Sequence, residues 1–450
     1  MPRYELNDGE SSKFWEIEVD GNRCEVCHGH TGGDGQRSTK EFDNAAAAQA
    51  AAGELIASRL AEGYRQDTAV EVFNPELEAL LQGNPDDVDT WQVYADYLQT
   101  QDNPLGELIA LGVAIEQNPD EASELHKRFC ELVAANGTAW FGSAAPYLDE
   151  VFVHEWDEEA VIQTYWKYGV LRELRVQTHY EFDGPAVHEL LAGMLYSPLG
   201  RFVHTVVIGI TDGVEDGQAW FQDCIDTIAA LGEQPNLKHL VIGDFESEEC
   251  EISWSSIGDC GKLYPLLPNL EFLRIHGGGI VLGDLVHERL KILSIETGGL
   301  SAQAVRSIAD ARLPALETLR VWFGAEHYGA DGEVSMLEPL FSGKGYPALR
   351  DLGLMNCEYQ NEIAEALAGS PLLQQLQCVD LSMGTMTDEG AKVLLEQYDR
   401  FKHLEHIDVS DNYISPAMAD ALHQRFGEVI QSGGQDTYWD EDDLYVSVGE

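Results

Sequence analysis

Leu404-Glu405-His406-Ile407-Asp408-Val409-Ser410-Asp411-Asn412 carries apolar residues at its first, fourth and sixth positions and an asparagine at its ninth. Ser415 and Pro416 follow, a cap residue and a proline suited to the first turn of a helix, and apolar periodicity then runs to Phe426. The same core returns eight times upstream, beginning at Leu171, Val203, Leu237, Leu270, Leu290, Leu316, Leu349 and Leu376, with successive starts 20 to 34 residues apart. One copy means nothing; nine in one register define a repeated unit. Each core is a short strand that buries three apolar side chains, and one such unit cannot close a core alone. Neighbouring units must therefore stack, with their strands forming a parallel sheet.

The intervals between cores predict the opposite side of the stack. Helical patterns fall at Ser301 to Asp310, Glu362 to Ala368, Asp388 to Tyr398 and Ser415 to Phe426. The interval between Leu270 and Leu290 is too short for a helix and calls for a 3₁₀ or irregular segment. This pattern resembles the leucine-rich repeat in its helix-containing, ribonuclease-inhibitor-like form. The resemblance implies an α/β solenoid over residues 141–432, with a parallel sheet on the concave side and helices or irregular segments on the convex side. It also implies that the ninth position bonds the backbone between coils. Asn412 and Cys357 suit that role, while Gly278, Gly298, Gly324 and Gly384 suit a tight turn. Pro146 to Trp156 lacks a full core and is expected to cap the N-terminal end. Residues 433–450 form an acidic C-terminal tail that also carries Tyr438, Trp439 and Tyr445, so both a packed aromatic end and a disordered tail fit it.

Residues between the buried positions point to the other face of each strand. The candidate binding face is therefore Arg175, His239, Phe272, Arg274, His276, Arg320, Trp322, Asp351, Asp380, His406 and Asp408, with Glu173, Glu296 and Met355 beside them. Trp322 is the expected anchor, because aromatic and arginine side chains dominate binding energy in protein interfaces.

Upstream, residues 73–140 read as a helical module. Asn74-Pro75 opens one helix, Asn84-Pro85-Asp86-Asp87 breaks it, Asp89-Thr90-Trp91 starts a second, and Asn103-Pro104 leads into a third. A further amphipathic helix is expected from about Asp120 to Ala135. The string from Asn84 through Val93-Tyr94-Ala95-Asp96-Tyr97-Leu98 to Asn103-Pro104-Leu105-Gly106-Glu107-Leu108-Ile109 resembles the bacterial repeat-companion domain. In residues 1–72, Phe14 to Val19 alternate as a half-buried strand, Asp20-Gly21-Asn22 turn, and Arg23 to His28 return. Gly29, Gly32, Gly33 and Gly35 punctuate the next stretch, and an Ala-rich helix is expected to run to Leu60. This segment, from Lys13-Phe14-Trp15 through Ser38-Thr39-Lys40-Glu41-Phe42 to Gly63-Tyr64, resembles the WGR domain. That family takes part in DNA binding in poly(ADP-ribose) polymerase relatives, yet its Trp-Gly-Arg stands here as His28-Gly29-His30.

Charge bounds the function. The 450 residues hold 79 Asp+Glu against 27 Lys+Arg, a formal net charge of −52. Such a field repels phosphate backbones and anionic membranes. It serves solvation, including in high salt, or recognition of a basic partner. Acidic residues outnumber basic ones within residues 1–72 as well, which argues against nucleic acid there. The N-terminus shows no apolar signal segment and no run long enough to span a bilayer, so the expected location is the cytoplasm. Eight cysteines show no framework spacing and read as small buried hydrophobes. Cys24-Glu25-Val26-Cys27-His28 has the spelling of a haem or metal motif, but in a strand Cys24 and Cys27 would face opposite sides. Each His-Glu pair lacks the second histidine of a zinc helix, and neither Gly-Lys pair completes a phosphate-binding loop. The chain is accordingly read as non-enzymatic, without metal or cofactor. Its expected partner is another protein, favoured if basic; the alternative is a nucleic-acid-associated regulator working through residues 1–72.

Overall fold

The structure is a computed structural model that describes residues 3–7, 12–20, 22–30, 35–42, 51–52, 55, 59, 65–66, 73–118, 122–148, 160–212, 218–436 and 444–450. Gly21, Gly32 and Gly33, most of the expected Ala-rich helix, residues 149–156 of the expected cap, and Tyr438 and Trp439 lie outside the described residues. The chain divides into two compact units, Met1–Glu78 and Ala79–Glu450.

In the first unit, β1 (Arg3–Asn7), β2 (Ser12–Asp20), β3 (Arg23–His30), β4 (Gln36–Glu41) and β5 (Arg65–Gln66) form one sheet in the order β4-β3-β2-β1-β5. All of its pairings are antiparallel. Trp15, Ile17 and Cys24 face one side and pack with Ala52. Phe14 and Cys27 are buried on the other side, where Gly35 approaches so closely that a Cβ there would sit 2.6 Å from the Cys27 sulfur. Two faces thus separate Cys24 from Cys27, as strand periodicity requires.

The second unit is mixed α/β. Its early helices are α1 (Pro75–Gly83, which spans the division), α2 (Val88–Thr100), α3 (Pro104–Gln117) and α4 (Ala122–Phe141). The turn Asn84-Pro85-Asp86-Asp87 does three jobs at once. Asp87 caps α2, accepting from Thr90. The Pro85 carbonyl accepts from the Trp91 indole at 2.8 Å and from the Arg172 guanidinium. Asp86 pairs with Lys167 at 2.8 Å. Arg172 also lies over the Trp91 ring and bonds His204 at 2.9 Å. Burial, then the Arg172 charge, pulls the His204 pKa down to about 3, so its imidazole stays neutral beside the cation. Helix α3 meets the same region through Gly112: a Cβ there would collide with the Gly169 backbone nitrogen at 1.9 Å.

Eleven strands form the large sheet: β6 (Ile162–Lys167), β7 (Val170–Val176), β8 (Thr205–Ile208), β9 (His239–Ile242), β10 (Phe272–His276), β11 (Ile292–Glu296), β12 (Thr318–Gly324), β13 (Asp351–Cys357), β14 (Cys378–Asp380), β15 (His406–Asp408) and β16 (Ile430–Gln431). Each strand lies beside its neighbours in chain order. All pairings from β7 to β16 are parallel. Two buried rows run across it. One is Leu174, Val206, Leu240, Leu273, Leu293, Leu319, Leu352, Val379 and Ile407; the other includes Val176, Ile208, Ile242, Ile275, Ile295, Val321 and Leu354. Each side chain so buried contributes about 1.5–3 kcal/mol.

Among the described residues, the helices of eight or more residues between successive strands are α5 (Val187–Leu195), α6 (Gln222–Ala230), α7 (Ala302–Ala309), α8 (Gln360–Gly369), α9 (Asp388–Glu396) and α10 (Pro416–Phe426). Ser301 and Ser415 cap α7 and α10 through their side chains. No helix separates β10 from β11. Asn412, fully enclosed, accepts from the Met386 amide at 2.8 Å and donates to the Leu381, Val409 and Ser410 carbonyls.

The two ends of the sheet differ from the expectation. The first strand is β6, antiparallel to β7 through the two-residue turn Tyr168-Gly169, whose residues both have positive φ. Its polar composition hides it, because Gln163 and Thr164 are buried through the neighbouring backbone and Trp166. Pro146 and Tyr147 belong to a 3₁₀ turn, Gly142–Tyr147. At the other end, residues 444–450 do not extend the stack. They bond back to the ends of earlier strands.

Candidate binding face

Strand register assembles the expected face into three rows. The first is Glu173, Thr205, His239, Phe272, Ile292, Thr318, Asp351, Cys378 and His406. The second is Arg175, Val207, Val241, Arg274, Ser294, Arg320, Gly353, Asp380 and Asp408. The third holds His276, Glu296, Trp322 and Met355 at the strand ends. Period-2 alternation put every one of these candidates on the face opposite the buried rows.

The middle of the face is a closed charge network. Arg175 Nε donates to Asp244 Oδ2 at 3.0 Å, and Arg274 Nη1 reaches Asp244 Oδ1 at 3.3 Å. Arg274 also grips Glu296, with Nε at 3.1 Å from both oxygens and Nη2 at 2.8 Å. Glu296 further accepts from Ser294 Oγ at 2.8 Å and lies 3.1 Å from His276 Nδ1. Burial opposes the Glu296 charge, but the bonds from His276 and Arg274 prevail and hold its carboxyl at about 2. Arg274 is raised in turn: burial opposes its charge, and the bonds to Glu296 outweigh it. Phe245 meets the His276 ring edge to face at 4.8 Å, and Trp322 lies 6.4 Å from it on another side.

Arg175 was expected to be exposed and is 9% exposed. Asp244 and Gln177 enclose it. Asp380 and Met355 are likewise on the face but buried. Asp244 and Phe245 are absent from the expected set because they follow β9 in a loop. The signal that could have found Asp244 is chemical: two arginines on one row, with two strands between them, need an anion to share.

The far end of the face is looser. Arg320 lies 3.5 Å from both Asp351 and Asp380. Asp351 Oδ1 is buried with no hydrogen-bond partner. Burial pushes the Asp380 carboxyl up, against bonds from Ser382. Asp408 accepts from the Ser410 amide at 2.8 Å. At the near end, His239 packs against Phe272 and lies 3.4 Å from Thr205 Oγ1. Among the described residues, no group of three or more His, Cys, Asp or Glu is arranged to hold a metal ion. No described helix is long and apolar enough to cross a membrane.

In the first unit, His28 and His30 stand exposed on β3, on either side of Gly29. Gly29 is held against Gly35: a Cβ on Gly29 would lie 3.1 Å from the Gly35 Cα. The WGR domain family matches residues 3–71. An N-terminal WGR domain is present. Uncharacterized protein YfeS of Escherichia coli (strain K12) is 38% identical over 65 residues, which are 14% of this chain and 27% of that protein. The chain therefore matches about a quarter of that relative's length. A crystal structure of a protein from Bacteroides fragilis covers 99% of this chain and 99% of its own, at 24% identity and a TM-score of 0.50. That likeness concerns the fold alone.

Proposed function

We propose that this protein is a non-catalytic binding scaffold, a leucine-rich-repeat solenoid whose outward sheet face docks another protein through a basic segment. The carrying observation is the far end of the face, where Arg320 comes no closer than 3.5 Å to Asp351 and Asp380, and Asp408 stands next to Asp380 on the same row. A partner lysine or arginine would supply the missing cation there, and Trp322 would give it an aromatic flank. The net charge of −52 would steer such a segment in. The nine cores in one register and the single parallel run of strands support the repeat reading. The paired middle of the face would set shape rather than bind.

A fluorescent peptide alternating lysine and arginine tests this. It should bind the wild-type chain and lose about tenfold in affinity with Asp351→Asn/Asp408→Asn, at an ionic strength where non-specific attraction is screened. Equal affinity for both chains would remove the reading. The alternative, a regulator acting on nucleic acid through the WGR domain, rests on the domain match alone. It predicts a salt-dependent shift of DNA or RNA by the full chain.

A further inference from the structure

Residues 444–450 run antiparallel to the order of the strands, along the ends of the late ones. The Tyr445 amide donates to Tyr413 Oη at 2.9 Å, and that hydroxyl donates back to the Tyr445 carbonyl at 2.9 Å. The Ser447 amide donates to the Met383 carbonyl at 2.9 Å. The Asn356 side chain then makes a paired contact with Val448, accepting its amide at 2.9 Å and donating to its carbonyl at 2.6 Å. Beyond it, Gly449 crosses Gly298 so closely that a Cβ on Gly298 would lie 2.1 Å from the Gly449 oxygen. Tyr328 Oη donates to Glu450 at 2.8 Å.

Two of the receiving groups, Asn356 and Met383, share a backbone device that Asp411 repeats one coil on. Asn356, Met383 and Asp411 stand one residue before the ninth position of successive cores, and all three have positive φ, at 52°, 67° and 53°. Each spends its own amide on the next coil: Asn356 to Ser382, Met383 to Ser410 and Asp411 to Gly433. Asn and Asp enter left-handed backbone more readily than other non-glycine residues, but methionine does not, so the recurrence of this conformation through Met383 reflects a constraint. It turns the Met383 carbonyl and the Asn356 carboxamide toward the crossing segment. Asn356, with no exposed surface, copies the donor–acceptor pair of a backbone peptide. The contacts at Ser447 and Val448 read backbone and not side chains, which is how a strand-like peptide is recognised.

We infer that the strand ends from Tyr413 to Gly298 form a peptide-binding groove, which the chain's own residues 444–450 fill in cis. The ligand class is an extended peptide with free amides at two consecutive positions, glycine next and an acidic side chain after it. Glycine is required because a Cβ at position 449 would meet the Tyr328 ring at 2.5 Å. This groove borders the binding face but does not depend on what that face binds.

The test uses full-length chains. Hydrogen exchange should find the Tyr445, Ser447 and Val448 amides protected, and Asn356→Gly, which keeps the positive φ, should raise their exchange about tenfold or more. Ser447→Pro/Val448→Pro removes both amide donors from the resident segment and leaves the groove untouched. A labelled synthetic peptide of residues 444–450 should bind that variant saturably. It should bind the wild-type chain and the same variant carrying Asn356→Gly at least about tenfold more weakly. Equal binding to all three chains, no saturable binding to the proline variant, or unchanged protection in Asn356→Gly would overturn the inference. Protection that appears only with concentration-dependent dimers would overturn the cis assignment.

Discussion

The middle and the far end of one sheet face use the same residue types to opposite effect. In the middle, Arg175, Asp244, Arg274, Glu296 and His276 close on one another at 2.8 to 3.3 Å. At the far end, Arg320 stands 3.5 Å from each of two aspartates, is itself 44% exposed, and leaves one Asp351 oxygen unbonded. Charges that satisfy one another are committed to the fold. Charges left short of partners remain available to something else. On the proposed reading, the difference separates the part of the face that holds its shape from the part that would take a ligand.

Breaking the middle should have the largest effect. Glu296→Ala leaves Arg274 partly buried without its main partner and should cost about 3 kcal/mol in urea unfolding, since removing one member of a buried pair strands the other. The pH response sharpens the same point. Glu296 has its carboxyl depressed to about 2, so its contribution is present above the ordinary glutamate range and is lost as pH falls from about 4.5 toward 2. The lost stability amounts to about 3 kcal/mol by linkage, and Glu296→Gln should flatten this part of the stability–pH curve.

The far end should respond weakly. Arg320→Ala removes a long, well-exposed pair of contacts and should cost less than about 1 kcal/mol. Asp380 carries a carboxyl raised by burial, so its ionisation opposes folding: the protonated form is favoured below the usual aspartate pKa, and that advantage is lost as pH rises through the shifted value. Asp380→Asn should therefore leave stability at neutral pH unchanged or raise it by less than about 1 kcal/mol, measured by thermal unfolding. A large loss from either substitution would erase the distinction between the two regions.

The sequence made the strands legible because the repeated apolar core states where each begins and which side chains it buries. Period-2 alternation then placed Arg274, Trp322 and Asp351 on one face. It could not show Asp244, which joins Arg175 and Arg274 from a loop 69 and 30 residues away in sequence. Nor could it show β6, whose Gln163 and Thr164 disguise a buried edge strand. The haem-like spelling at Cys24 and Cys27 dissolved once the strand put the two sulfurs on opposite faces. Residues 444–450 were hidden for a further reason: Asn356 and Met383 read them through backbone geometry, which composition does not encode.

Carbodiimide labelling of carboxylates, with and without the lysine–arginine peptide, tests the central claim most directly. Asp351 and Asp408 should lose label when the peptide binds, while Glu246 and Glu248 on the exposed loop after β9 should keep theirs. Uniform loss of label across both sets, or loss at the loop alone, would contradict it.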